Sequence, residues 1–494
     1  MYGIDSLLER IDYSIILGSP SEKVSEVVVD SRKITKDCLF ICITGFKVDA
    51  HSFAEQVIKD GAKALVVEKD LSETAMDLAR EKGVTIIKVD DCRYAMAFIS
   101  AAFYGYPADS LKVIGITGTK GKTTTTYLVK SALESSGLKV GLVGTIETII
   151  GDEHIPASNT TPESFVLQGY FKRMLDAGIT HVVMEVASQG LKLHRTQGFT
   201  FELGIFTNLS PDHIGPNEHE SFEDYVECKG RLFKQCRCGI VNVDDDNLLK
   251  VIKGHTCDLR TFGFNKEADI YADNLKLVKE PGELGIEFDI FGDVKAHVSV
   301  PTPGAFSAHN ALCAISICHY FNIPVDVMIG SLKNAHVKGR IEMVKTPYSF
   351  TMLIDYAHNA MSLESLLTSL REYEPKRLIV LFGCGGNRSR DRRLGMGEVA
   401  GRLADLSIIT SDNPRDEDPQ AIINDIKEGL LPTKGKYVEI INRKEAIRYA
   451  IENGKKNDII VLAGKGHEDY QEIKGVKYPM DERVIIKEIL NELR

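Results

Sequence analysis

Residues 111–137 read LKVIGITGTKGKTTTTYLVKSALESSG: an apolar run, a glycine-rich loop, then a helical pattern that stops at Gly137. That order suits a phosphate. Glycines let backbone N–H groups close around phosphate oxygens, and the helix N-terminus adds partial positive charge. Lys122 can then reach the terminal phosphates, while the Thr123 hydroxyl can take a magnesium position. The strict pattern G-x-x-x-x-G-K-[ST] would need glycine at 116, where Ile116 stands. The glycines are Gly115, Gly118 and Gly121, so the loop is a variant. A glycine-rich turn without a ligand is the alternative, and the order strand, loop, helix favours a nucleoside triphosphate.

Further chemistry gathers at the ends of strand-like runs. HVVMEVASQG carries Glu185, and LGIFTNLSPDH carries Asp212 and His213. Ligands of open α/β sheets collect at the carboxyl ends of strands, so both segments are placed to meet the triphosphate. A carboxylate and an imidazole suit the remaining magnesium positions, directly or through water. Loop residues satisfied by their neighbours are the other reading. In SFEDYVECKGRLFKQC, Phe222, Tyr225, Val226, Leu232 and Phe233 follow helical spacing, and Lys229 falls on the same stripe. Either its stem packs while the ammonium reaches water, or the whole side chain is buried. Burial would depress its pKa and leave a neutral amine. Such an amine can take up carbon dioxide as a carbamate, which is a metal ligand.

The last third of the chain offers a different group. CGGNRSRDRR, SDNPRDEDP and AGKGHEDYQ each follow an apolar run. Arg388 and Arg415 present planar forks that match carboxylates bidentately, Gly464 permits close backbone approach, and Glu468 can receive an ammonium. Asp418-Pro419 has the form of an N-cap followed by a first-turn proline, which puts DNPR in the loop just before a helix. Solvated surface arginines are the competing explanation for either one alone.

Elements must hold these groups in place, and the pattern supplies them. Over residues 1–107, SEVVVD, CLFICIT, KALVVEK and VTIIKV predict strands, while HSFAEQVIKDGA and YAMAFISAAFYG predict helices. Tyr106-Pro107-Ala108 reads as a linker. Strand and helix then alternate, as in a parallel sheet with helices on its faces. Residues 258–300 break that rhythm with DIYADNLKLV, LGIEFDIFG and VKAHVSVP, which predict antiparallel strands. A second junction falls at Val337-Lys338-Gly339-Arg340, beyond which TMLIDYAH, RLIVLFG, LSIITSD and DIIVLAG build another α/β unit. The expected fold is α/β in three domains, 1–107, 108–338 and 339–494. The central one is a P-loop parallel-sheet domain and the last is Rossmann-like.

The whole-chain numbers set limits. At 494 residues the chain is too long for one core. A formal charge of −10 argues against a nucleic-acid partner, which normally demands a basic face, but not against a phosphorylated small substrate. Ten cysteines without a zinc-type couple read as reduced, mostly buried thiols. The N-terminus MYGIDSLLERIDY has no signal-peptide pattern, and no run reaches the roughly 18 apolar residues of a membrane span. A cytoplasmic protein without a membrane partner is expected.

Taken together, GITGTKGKTTT, SNTTPE, VVMEVASQGL, LSPDHIG with Lys229 downstream, SAHNALCA, DYAHNA, DNPR and AGKGHEDYQ resemble the Mur ligase family in order and spacing. The likeness runs from about Asp30 to the C-terminus. It implies three domains, binding in turn the UDP of the substrate, ATP, and the incoming amino acid. It also implies peptidoglycan precursor synthesis: an ATP-dependent ligase joins an amino acid to the D-glutamate γ-carboxylate of UDP-N-acetylmuramoyl-L-alanyl-D-glutamate through an acyl phosphate. ATP and Mg²⁺ are the implied cofactors, and a monomer is expected.

By this resemblance Thr117, Gly118, Thr119, Lys120, Gly121, Lys122 and Thr123 form the ATP loop. Thr123, Glu185, His213 and a carbamylated Lys229 form the magnesium environment, and Lys122, Glu185, His213 and Lys229 are the implied catalytic set. His309, Asn310, Arg340 and Asp355 match further nucleotide contacts. Val29, Ser31 and the segment after Gly45 match the UDP-binding part, while Asn159, Thr160, Thr161 and Arg195 match contacts to the muramoyl-dipeptide. Asp412, Asn413, Pro414 and Arg415 form the DNPR motif, which in this family marks members that add meso-diaminopimelate. Arg388, Gly464 and Glu468 match the remaining contacts to that amino acid. The sequence departs from the family pattern at Ala187 (commonly serine), Gln189 (commonly histidine), Ala360 (commonly proline) and Phe46-Lys47-Val48. Competing readings are the same ligase with L-lysine or folylpolyglutamate chemistry, a P-loop ATPase switch without ligation, and a nucleotide-binding regulator.

Overall fold

The computed structural model describes residues 1–45, 48–212, 214–215, 218–280, 282–334 and 337–493. The chain forms two compact units, residues 1–269 with 313–323, and residues 270–312 with 324–494.

The first unit begins with a five-stranded sheet in the order Ser14–Leu17, Thr85–Lys88, Ala64–Val67, Leu39–Ile41, Val27–Val28, parallel except at the first strand. Apolar clusters cover both faces, which is why the middle strands read as continuous apolar runs rather than alternating ones. The segment expected to be helical from His51 starts as a 3-10 turn, Ala50–Phe53, with the Asp49 side chain accepting from His51 N. It becomes α-helical only over Ala54–Lys59.

The same unit holds the parallel array that follows the linker, in the order Val140–Val143, His181–Glu185, Lys112–Thr117, Phe201–Phe206, Cys236–Asn242, Asp258–Gly263. Register fixes the chemistry: Glu185 lies opposite Ile116, and Phe206 opposite Thr117. Three strands therefore end together where the glycine-rich loop begins. Gly115 is not part of that loop. It sits inside the strand, where a Cβ would come within 2.6 Å of the Phe201 ring, so its role is packing.

In the second unit the antiparallel strands expected from residues 258–300 are Ile270–Glu280, Glu283–Gly292 and Ala296–Val300. A six-stranded sheet follows in the order Glu342–Val344, Thr351–Asp355, Ile459–Ala463, Leu378–Phe382, Leu406–Ile409, Tyr437–Glu439, with only the first pair antiparallel. Leu378, Val380 and Phe382 enter one apolar cluster while Ile379 and Leu381 enter another, so the strand is buried on both faces. The helix Pro419–Leu430 starts as its sequence implies, with the Asp418 side chain accepting from Gln420 N and proline in the first turn. All ten cysteines are buried and unbridged. Among the described residues no helix is long and apolar enough to cross a membrane.

Candidate active site

In the first unit the loop after Thr117 turns on two glycines with positive φ, +150° at Gly118 and +83° at Gly121. Gly121 caps the helix Lys122–Ser135. Gly118 has no room for a side chain: an added Cβ would lie 1.9 Å from Thr207 Oγ1. The loop is held from the adjoining strand end, where Asn208 Oδ1 accepts from Lys120 N at 2.9 Å and Thr207 Oγ1 donates to the Lys120 carbonyl at 2.8 Å. Thr119 N donates to the Asn208 carbonyl at 2.8 Å, and the buried Thr117 hydroxyl donates to the Val186 carbonyl at 2.8 Å.

Around this loop the structure gathers Lys122, Thr123, Glu185 and Lys229. Thr123 Oγ1 donates to Glu185 Oε2 at 2.9 Å. Glu185 is buried and also accepts from Thr145 N at 2.8 Å and Thr145 Oγ1 at 3.0 Å. These are hard oxygen donors, of the kind a magnesium ion takes. Lys122 Nζ and Lys229 Nζ both donate to the Gly118 carbonyl, at 2.8 and 2.9 Å. Lys229 is 1% exposed, so it does not reach water. Burial first, and the Lys122 charge second, hold its pKa well below the usual lysine range, against weaker opposing pulls from Asp212 and Cys228. Its Nζ also sits 4.5 Å from the Tyr225 ring centroid. His213 lies outside the described residues.

Next to Glu185, Thr161 Oγ1 donates to the Glu185 carbonyl at 3.0 Å and accepts from Ala187 N at 2.9 Å. Ala187 thus serves through its backbone. Thr160 Oγ1 is 3.1 Å from Thr145 Oγ1, and Arg195 donates to the Thr161 carbonyl at 3.0 Å while pairing with Glu163 at 2.8 Å. Asn159 is exposed on the same segment. Val29 and Ser31 are partly buried beside a turn capped by Asp30, distant from this cluster in sequence. Of the segment after Gly45, Val48 is exposed, whereas Phe46 and Lys47 lie outside the described residues. Among the described residues one other group, His219, Asp224 and Cys228, is close enough to hold an ion. Its Asp224 is already paired with Lys192 at 2.7 Å.

The second unit assembles the other residues at the carboxyl edge of its sheet. Arg415 adopts φ +50°. Its Nη1 donates to the Gly386 carbonyl at 2.7 Å and its Nε to Glu472 Oε2 at 3.2 Å. Arg388 is exposed on the neighbouring loop; Gly385 lies between the two, its ideal Cβ position 3.5 Å from Arg415 Nη1 and 3.9 Å from Arg388 Cγ. Asp412 Oδ1 accepts from Asn413 N at 2.7 Å, and Asn413 Nδ2 donates to Glu468 Oε2 at 2.8 Å. Pro414 lies between Asn413 and Arg415 in that loop. Gly464 N donates to the Asp355 carbonyl at 3.0 Å.

Asp355 itself is held by Ile341 N and Ala357 N at 2.9 and 2.8 Å, and burial raises its pKa against the pull of Arg340. Arg340 stacks 4.8 Å from the Tyr356 ring centroid. His309 and Asn310 lie on the helix Ala305–Tyr320, with Asn310 buried. Ala360 opens the helix Ala360–Arg371, where the Asn359 side chain accepts from Ser362 N, so the turn keeps its cap without proline. The sequence reading missed Thr145, Asn208 and Lys465. The first two follow the apolar runs Val140–Val143 and Phe201–Phe206, and strand ends were the available signal.

Three family models match the chain: Mur ligase family, catalytic domain, over residues 23–104; Mur ligase middle domain over 116–318; and Mur ligase, glutamate ligase domain over 339–466. A protein of Caldanaerobacter subterraneus subsp. tengcongensis named UDP-N-acetylmuramoyl-L-alanyl-D-glutamate--2,6-diaminopimelate ligase is 44% identical over 488 residues, 98% of each chain. One of the same name from Clostridium botulinum is 42% identical, covering 99% of this chain and 100% of the other. A solved structure with that name aligns with a TM-score of 0.71 at 27% identity, over 99% of both chains. With full-length relatives above 40% identity and all three family models in order, the chain belongs to the Mur ligase family.

Proposed function

We propose that the chain is an ATP-dependent ligase that joins meso-2,6-diaminopimelate to the D-glutamate γ-carboxylate of UDP-N-acetylmuramoyl-L-alanyl-D-glutamate, in peptidoglycan precursor synthesis. The full-length relatives carry that name. The observation that carries the choice of amino acid is Arg415, held beside Arg388 at a strand end with Asn413 and Glu468 close by. Diaminopimelate is lysine with a second amino-acid carboxylate at its far end. A guanidinium fork matches that group, and lysine would offer it no carboxylate beyond the Glu472 that Arg415 already meets through Nε.

The reaction brings two anions together, a triphosphate and a carboxylate. Lys122 and the loop N–H groups would hold the triphosphate. Thr123, Glu185, His213 and a carbamate on Lys229 would hold Mg²⁺, which supplies charge shielding. Lys229 suits carbamate formation because burial lowers its pKa and so favours the neutral amine, whose nitrogen adds to carbon dioxide and releases one proton. Phosphoryl transfer to the γ-carboxylate gives an acyl phosphate. The amino group attacks its carbonyl carbon, and phosphate leaves as the amide forms. Residues 1–107 would bind the UDP end, 108–338 the ATP, and 339–494 the amino acid, in a monomer working in the cytoplasm.

The acyl phosphate is directly testable. With ¹⁸O in the substrate γ-carboxylate, one labelled oxygen should appear in the released phosphate for each amide formed. Unlabelled phosphate would overturn this route, and ATP hydrolysis without the other two substrates would favour the switch.

A further inference from the structure

Lys465 is fully buried at the end of the strand Ile459–Ala463, two residues beyond it. Its ammonium donates to Asn413 Oδ1 at 2.8 Å, to Glu468 Oε2 at 2.8 Å and to the Tyr470 carbonyl. An ammonium has three hydrogens, and here three acceptors take them, so Lys465 has none left for a ligand. The two side chains it grips are among those assigned above to the amino acid. They are also tied to each other, since Asn413 Nδ2 donates to the same Glu468 oxygen at 2.8 Å. The tie extends to the guanidinium: Glu472 N donates to Asn413 Oδ1 at 2.9 Å, and Glu472 Oε2 accepts from Arg415 Nε at 3.2 Å.

A lysine kept wholly out of water is an expensive way to fill space, and a well-packed apolar residue would normally stabilise the unit as well or better. The burial therefore points to what the ammonium organises. With both donors on Oε2, Glu468 keeps Oε1 as the oxygen able to accept from an incoming ammonium. The Lys465 charge offsets one carboxylate in a group that also includes Asp412 and Glu472, so a substrate carrying its own carboxylates meets less repulsion.

We infer that Lys465 is a positioning residue for the amino-acid substrate, locking Asn413 and Glu468 into one rigid acceptor linked to Arg415. This rests on the proposed function for the site's identity. The test uses the full-length chain with Lys465→Met, similar in length and uncharged. The KM for the amino acid should rise at least tenfold, while the KM values for ATP and the UDP-linked dipeptide stay within twofold. Lys465→Met combined with Glu468→Gln should raise the amino-acid KM no further than Glu468→Gln alone, because both changes break one unit. An unchanged amino-acid KM, an equal rise for all three substrates, or additive effects in the double variant would overturn the inference.

If Lys465→Met yields no folded protein by thermal melt, Lys465→Gln, which cannot serve three acceptors, is read by the same criteria. The unmodified chain is assayed first with meso-diaminopimelate. Should it accept a different amino acid, the proposed substrate fails, and the KM comparison proceeds with the amino acid accepted, so the two failures remain separate.

Discussion

Two amines end on one carbonyl oxygen, that of Gly118, and only one of them is wholly buried. Like charges at such range repel, and the buried group yields its proton more readily because it has no water to solvate the charge. Burial therefore favours the neutral form of Lys229 where the triphosphate loop turns. Lys229→Ala should lower turnover at least about a thousandfold, with added bicarbonate giving no recovery; activity near that of the unmodified chain would remove this amine from the chemistry. Arg415 makes a separate prediction. Losing a charge-assisted fork costs about 1.5–3 kcal/mol, so Arg415→Ala should raise the diaminopimelate KM roughly 10- to 100-fold and leave the ATP KM in place. Equal losses for both substrates would contradict its assignment to the amino acid.

Elements explain why these residues meet. The carboxyl ends of His181–Glu185, Lys112–Thr117 and Phe201–Phe206 are set by parallel register, and the loop closes on Thr207 and Asn208. Gly118→Ala should distort that closure, since the new methyl meets Thr207 Oγ1 and the backbone sits at positive φ. A cost of about 1–3 kcal/mol in stability is expected, with nucleotide affinity reduced at least tenfold in a binding titration; unaltered affinity would show that the loop tolerates a side chain. Much of this was legible in the sequence. The apolar runs became strands, Asp418-Pro419 became a cap, and the stripe containing Lys229 became a buried helix face. Other features depend on distant partners. The hairpin Tyr470–Ile473 with Val476–Pro479 was not foreseen because its strands are only four residues long, the first half-buried throughout and the second exposed, so neither carries a buried apolar face. Its one local cue is the two-residue turn Lys474-Gly475, both at positive φ. That hairpin places Ile473 beside Arg415, and no local pattern in DNPR announces it. Lys465 was equally silent, because its tie to Asn413 comes from a strand end distant in sequence.

At the scale of the molecule, a net charge of −10 coexists with local clusters of lysine and arginine at both sets of strand ends, so charge is organised by site rather than by surface. Stability follows the same logic of burial. Burial first, then Arg340, Lys338 and Arg483, push the His467 pKa down to about 4, and burial lowers His358 likewise. An unfolded chain takes up these protons near pH 6.5, before the folded one does, so stability present above that pH is withdrawn as pH falls toward 4. Melting curves should show His467→Gln losing about 1–2 kcal/mol less than the unmodified chain between pH 7 and pH 5; parallel losses would mean that His467 titrates normally. The central claim concerns the bond the whole molecule makes. Purified protein given UDP-N-acetylmuramoyl-L-alanyl-D-glutamate, ATP and equal amounts of meso-diaminopimelate and L-lysine should yield, by mass, the diaminopimelate adduct in large excess. A predominantly lysine-bearing product, or ATP consumed with no adduct at all, would contradict it.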